Sequence, residues 1–326
     1  MKRRAVIQLL AGLAAVGMRQ GHAQEPRTAR VGLLTPGPPL GDGDARLAAL
    51  TRALAQQGYV VGRNLTIEQR AARGRVHDLP RLAQELAAAK ADVIVTNGFP
   101  PAAAAKATGV PTVAAAGVGD PVATGLVESL ARPGANLTGI SDDASELSTK
   151  RLSLLKELLP GLRRVAMLWN EDDLGMSLRY KASAQAADGL GVAVQALGIR
   201  EPDDFNAAFA AIDRERPDAI LMVSDSLTVL NRRRVFDYAA AHRLPAMYES
   251  AIFVRDGGLT SYGADEGESY VRAAALVHDI LKGTSPAVLP FERPTRYSLA
   301  INLQTAKAIG FDVPPLLLAR ADEVVE

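Results

Sequence analysis

Short apolar runs alternate along the chain with stretches in which apolar positions recur every three or four residues, a pattern that predicts β-strands separated by helices. In the first half the runs place strands at Arg30 to Thr35, Leu65 to Arg70, Val93 to Thr96, Thr112 to Ala116 and Leu137 to Ile140. Helices are expected between them at Asp44 to Gln57, Leu79 to Lys90, Pro101 to Thr108 and Val122 to Leu130. The second half gives strands at Arg164 to Trp169, Ala193 to Gly198, Ala219 to Ser224, Ala246 to Tyr248 and Gly258 to Tyr262. Its helices fall at Met176 to Leu190, Asp203 to Arg214 and Leu227 to Ala241. The tail adds a strand-like run at Arg296 to Ile301, a helix, and an apolar segment from Pro314 to Leu318.

The two halves repeat one another. Ala91-Asp92-Val93-Ile94-Val95-Thr96-Asn97-Gly98 is echoed by Pro217-Asp218-Ala219-Ile220-Leu221-Met222-Val223-Ser224-Asp225, and Val110-Pro111 by Leu244-Pro245. The leading strands, Ala29 to Thr35 and Arg163 to Trp169, stand 134 residues apart. A repeat of this kind predicts two α/β lobes with Rossmann-like, mainly parallel sheets and a hinge between them. The expected division is 24–143 plus about 264–285 for lobe one and 144–263 for lobe two. The segment 286–326 packs near the hinge or on one lobe. Helices starting near Glu146 and Glu266 serve as the two crossings.

Composition narrows the function. The 326 residues are 48% hydrophobic and 22% charged, as for an ordinary globular chain. No basic face with interleaved aromatics argues for nucleic acid. The absence of cysteine excludes disulfides, thiolate metal sites and a cysteine nucleophile. Residues 1 to 23 carry Lys2, Arg3, Arg4 and Arg19, an apolar run from Ala5 to Met18, and small residues at Gly21 and Ala23. That is the form of a secretory leader, too short in its apolar run to span a bilayer. The mature chain should begin near Gln24 and reach the periplasm, with Arg3-Arg4 hinting at the twin-arginine route.

In open parallel sheets, ligands lie beyond the carboxyl ends of the strands, where helix N-termini offer free N–H groups. Those ends hold Thr35, Gly98, Phe99 and Asp120 in lobe one, and Trp169, Asn170, Asp225, Tyr248, Glu249 and Tyr262 in lobe two. Ring faces beside carboxylates suit a small ligand with an apolar or aromatic body and a cationic amino group. Each residue also has a plainer reading. Trp169 can cap the lobe core, Asp120 and Asp225 can be helix N-caps, Glu249 can be solvated and Tyr262 can be a turn residue. No catalytic residue, metal site or cofactor is expected. Gly117-Val118-Gly119 lacks the third glycine of a dinucleotide fingerprint, there is no phosphate loop or nucleophile elbow, and no histidine falls among the strand ends.

Several runs resemble an ABC transporter substrate-binding protein family that includes tryptophan- and phenylalanine-binding proteins. They are Ala91 to Thr96, Gly119-Asp120-Pro121-Val122, Ser129-Leu130-Ala131-Arg132-Pro133-Gly134, Leu137-Thr138-Gly139-Ile140, Lys150-Arg151-Leu152, Ser261-Tyr262-Gly263 and Ile301-Asn302-Leu303. The resemblance covers the mature chain and implies the type I periplasmic binding protein fold without catalysis. It also implies a monomer that does not span the membrane and works with an ABC permease and its ATPase. Where the family usually has Gly-Thr-Pro after the third strand, this chain has Gly98-Phe99-Pro100, so a ring replaces a hydroxyl that could hold a ligand carboxylate. Two alternatives are a two-lobed enzyme such as a racemase, and a ligand-sensing partner of a membrane receptor.

Overall fold

A computed structural model describes residues 28–142 and 144–326. The expected leader lies outside the described residues. The first sheet is built from β1 (Ala29–Thr35), β2 (Leu65–Ala71), β3 (Val93–Asn97), β4 (Thr112–Ala116) and β5 (Leu137–Gly139). All are parallel, in the order β2-β1-β3-β4-β5. Helices α1 (Ala45–Gln56), α2 (Leu79–Ala88) and α3 (Phe99–Lys106) connect the first four strands. Asp44 caps α1 by accepting from the Arg46 N–H, and Leu50, Ala53 and Leu54 turn one face inward.

Helix α4 (Ala144–Leu158) leads to β6 (Arg164–Asn170), α5 (Leu174–Gly189), β7 (Ala193–Ile199), α6 (Asp204–Arg214) and β8 (Ala219–Met222). There follow α7 (Ser226–Leu230), α8 (Arg232–His242), β9 (Ala246–Tyr248), α9 (Ala251–Arg255), β10 (Thr260–Ala264) and α10 (Glu266–Leu281). The tail forms β11 (Tyr297–Asn302), α11 (Leu303–Ile309), α12 (Pro315–Leu318) and β12 (Glu323–Val325). In the second sheet the order β7-β6-β8-β9-β10 reproduces that of the first, as the sequence repeat requires.

The second sheet has seven strands, two more than the repeat predicts. β11 runs antiparallel to β10, with Thr260 opposite Ile301 and Ala264 opposite Tyr297, and β12 lies parallel to β11 at the edge. Ala306, Ile309 and Leu317 of the tail enter the same core as Leu152, Val165 and Met247. Helix α10, leaving the second sheet, packs Tyr270, Ala273, Ala274, Val277 and Ile280 onto Val31, Val93 and Val113 of the first. Phe291 lies in a first-lobe cluster with Ala102 and Leu137, and Glu292 bridges to Ile140. The chain therefore passes between the lobes three times, after β5, before α10 and before β11.

Two local expectations fail. The helix expected at Val122 to Leu130 is a single turn, because Gly125 takes φ +73° and Leu126 and Val127 fold into the core. The helix expected at Leu227 to Ala241 is broken at Asn231 into α7 and α8.

Candidate functional site

The carboxyl ends of the two sheets meet. A Cβ built on Gly175, in the first turn of α5, would lie 3.2 Å from the Phe99 Cβ and 3.6 Å from the Val118 carbonyl oxygen. One built on Gly119 would lie 3.6 Å from the Gly175 Cα. A second contact joins the loop after β2 to the end of α7, where a Cβ on Gly74 would come 3.0 Å from Leu230 Cδ1. The lobes are thus closed on one another in this structure.

On the first-lobe side, Gly98 takes φ +97°, donates its N–H to the Ala116 carbonyl at 2.9 Å and starts α3 with the half-buried Phe99 beside it. Thr35 is buried, and its hydroxyl donates to the Pro38 carbonyl at 3.2 Å. Asp120 is exposed and caps the turn that follows it, accepting from Val122 N at 2.9 Å and Ala123 N at 3.0 Å. It thus caps a turn and not the helix expected there.

The second lobe contributes two neighbouring carboxylates. Asp173 caps α5, accepting from Met176 N at 3.3 Å, and is 5% exposed. Asp225 caps α7 in a capping box with Thr228 and accepts from the Asn170 side-chain amide. Burial, with the charge of Asp225 beside it, pushes Asp173 up to about 7. Burial likewise raises Asp225 against the hydrogen bonds from Thr228 and Asn170 that favour its ionised form. Among the described residues neither makes an ion pair. A buried carboxylate with a half-buried one beside it is costly to ionise unless a cation is supplied.

Glu249 is not solvated. It is 8% exposed, with Oε1 accepting from Arg151 at 2.6 Å and Oε2 from Arg179 at 2.7 Å and from Ser224 N at 2.9 Å. Burial works to raise its carboxyl, but the two guanidinium groups and the Ser224 N–H outweigh it and hold it below its ordinary value. Arg151 also donates to the Tyr262 carbonyl at 2.6 Å, while the Tyr262 ring is half-buried and stacks on Tyr297.

Two aromatics expected at the cleft are core residues. Trp169 lies 3.7 Å from Tyr180 in a parallel stack and shares a cluster with Val165 and Met167. Tyr248 is 1% exposed between Phe236 and Phe253, and burial raises its hydroxyl pKa. Both continue the alternation of their strands into a lobe interior rather than emerging from it.

Reasoning from strand ends missed Asp173 and Gly175, which lie where the lobes meet, and Asp142, Arg151 and Arg179, which form the ion-pair unit with Glu249. Signals existed: Asp173 stands three residues before Met176, the spacing of a helix cap. Arg151 and Arg179 share helix faces with Leu155 and Met176 respectively, an unusual place for a charge. A depression of about 370 Å³ at α11 and α12, lined by Leu303, Lys307, Phe311 and Leu318, includes none of these residues. Among the described residues no group of His, Asp or Glu is placed to hold a metal ion, and no helix is long and apolar enough to cross a membrane.

Comparison with known proteins follows this geometry. The chain is 27% identical over 259 residues to a tyrosine-binding protein of Clostridioides difficile (strain R20291), spanning 79% of this chain and 74% of that protein. The structure of a conserved domain protein from Vibrio cholerae is similar with a TM-score of 0.84 and 26% identity, over 91% of this chain and 100% of that one. An ABC domain from Streptococcus pneumonia in complex with L-Trp shares the fold with a TM-score of 0.84 at 22% identity, over 91% and 100% of the two chains. The ABC transporter substrate-binding protein profile matches residues 42–325, and the chain belongs to that family.

Proposed function

We propose that this protein is the extracytoplasmic solute-binding component of an ABC importer, and that it closes its lobes on a small molecule bearing a cationic amino group. The observation that carries the ligand class is the pair Asp173, buried, and Asp225, half-buried, beside each other at the meeting of the lobes with no ion-pair partner among the described residues. An ammonium group there would remove the penalty of closing over them. Phe99 from the facing lobe offers a ring, and Asn170 holds Asp225 in place. The tyrosine-binding relative and the fold-mate in complex with L-Trp support an amino acid or aromatic amine. Asp142, Arg151, Arg179 and Glu249 pair among themselves, so they are not counted as ligand groups. On this reading the leader at residues 1 to 23 directs export to the periplasm. The mature monomer then delivers its ligand to a permease and its ATPase, without turnover.

A thermal-shift screen with three sets separates the possibilities: amino acids including tyrosine and tryptophan, amines lacking a carboxylate, and aromatic acids lacking an amine. Compounds with an amine are expected to stabilise the protein, by about 2.7 kcal/mol at a hundred times Kd. Stabilisation by amine-free acids alone would overturn the ligand class. Chemical conversion of a bound compound, followed by chromatography, would overturn the binding-protein reading in favour of an enzyme.

A further inference from the structure

The charged side chains at the crossings form one connected unit. Arg179 of α5 is 6% exposed and divides its guanidinium between Glu249, at 2.7 Å, and Asp142. Glu249 is held in turn by Arg151 of α4 and by Ser224 N. Arg151 ties the unit to the Tyr262 carbonyl in β10, two residues before the strand ends and the chain crosses back to lobe one. Asp142 lies in the first crossing, between β5 and α4. Two guanidinium groups face two carboxylates, so the unit balances its own charge, although Asp142 Oδ1 and Arg179 Nε are buried without a hydrogen-bond partner among the described residues.

Every member is anchored on lobe two or in a crossing, with one outward bond: Asp142 Oδ2 accepts from Gly119 N, in the first-lobe loop after β4, at 3.3 Å. Gly119 takes φ +71°, which turns its N–H and backbone toward α5, where it meets Gly175. A buried ion pair gives little net stability compared with apolar packing, but it does fix geometry.

We infer that Asp142 and Arg179 are positioning residues for lobe closure. Arg179, fixed by Glu249, holds the Asp142 carboxylate at the one orientation in which it receives the Gly119 N–H, so that the closed arrangement and the hinge ion pair form together without ligand. This rests on the reading above only in taking closure as the binding step.

The chain has no cysteine, so a pair of introduced ones can be spin-labelled uniquely. His77→Cys and Arg233→Cys place exposed labels on opposite sides of the cleft mouth, near the Gly74 and Leu230 contact. Distances between them are measured by pulsed electron resonance on the ligand-free protein. The parent is expected to show a short-distance population. Asp142→Ala should lower the ratio of short to long distances at least roughly tenfold, the equivalent of losing one hydrogen bond to a charged group. Asp142→Asn, which keeps an acceptor for Gly119, should restore part of it. Arg179 stays paired with Glu249 in both variants, and thermal melts check that they fold.

Removing a surface pair by Arg255→Ala should leave the distances unchanged. A parent with long distances only, an Asp142→Ala distribution that superimposes on the parent's, or an equal effect of Arg255→Ala would overturn the inference. If Asp142→Ala does not fold, Asp142→Asn decides: an unchanged ratio overturns the inference and a lowered ratio supports it. No ligand enters the measurement, so failure of the ligand screen leaves it standing, and the reverse.

Discussion

Replacing Asp173 by Asn should make the ligand-free protein more stable above neutral pH and no more stable below pH 4. Asn preserves the cap of α5, because its side-chain oxygen still accepts from Met176 N. What it removes is a carboxylate that burial and Asp225 raise from 3.8 to about 7. The direction of linkage follows from that rise. The stabilising contribution of protonated Asp173 is fully present below 3.8 and is lost as pH climbs through about 7, because the unfolded chain has already released the proton. An acid displaced over that interval corresponds to about 4 kcal/mol, an upper figure that relaxation of the cleft reduces. Urea melts extrapolated to zero denaturant at pH 4 and pH 8 give the test. The variant should gain roughly 1–4 kcal/mol over the parent at pH 8. Equal stabilities of parent and variant at pH 8 would refute the reasoning. The same carboxylate predicts ligand linkage, since an ammonium group would compete with the proton. Affinity for an amine should rise with pH up to about 7 in the parent and lose that dependence in Asp173→Asn.

Two other substitutions test the placement of residues. Tyr248→Ala should cost about 3–5 kcal/mol of stability in urea melts, as removal of a core aromatic does, and a fully stable variant with weakened ligand binding would contradict its burial. Gly175→Val should weaken amine binding at least roughly tenfold by calorimetry, since the added side chain meets Phe99 where the lobes touch, and an affinity equal to the parent's would show that the contact does not matter to binding.

Much of the fold was legible in the sequence because each lobe obeys local rules. The repeated Asp, apolar run and apolar-Pro pair fall in β3 and β4 of one lobe and β8 and β9 of the other. The apolar stripe of α10 packs on the first sheet although its helix follows the second. The tail was not legible, since nothing in Tyr297 to Asn302 says whether it pairs parallel or antiparallel, or with which edge. The site was read less well, for a reason that lies in strand geometry. Val165, Met167 and Trp169 alternate onto one face of β6, while Ala166 and Leu168 enter the opposite core. That parity carries the Trp169 ring into the interior, and Asn170 is the first residue free to reach the cleft. Met247 and Tyr248 divide between the same two cores. Position at a strand end does not by itself give exposure at the cleft, because alternation within the strand decides it.

Under the proposed function, helix cap and ligand group do not exclude one another at Asp225, which caps α7. Asp173 and Asp225 each follow a strand, β6 and β8, and each begin a helix, α5 and α7. A carboxylate at that position accepts backbone N–H groups that have no partner within the helix, and it lies at the positive end of the peptide dipoles. These interactions offset part of the cost of burial and keep the carboxylate able to ionise when a cation arrives. Because parallel sheets bring successive helix starts to one edge, two caps become neighbours, and their mutual repulsion supplies the demand for a positive group. In the first lobe the corresponding ends carry Gly98 and Gly117 to Gly119, of which Val118 and Gly119 lie against Gly175 of the facing lobe. Under the proposed function, one lobe would supply charge and the other a close-fitting cover, an asymmetry laid on a duplicated frame.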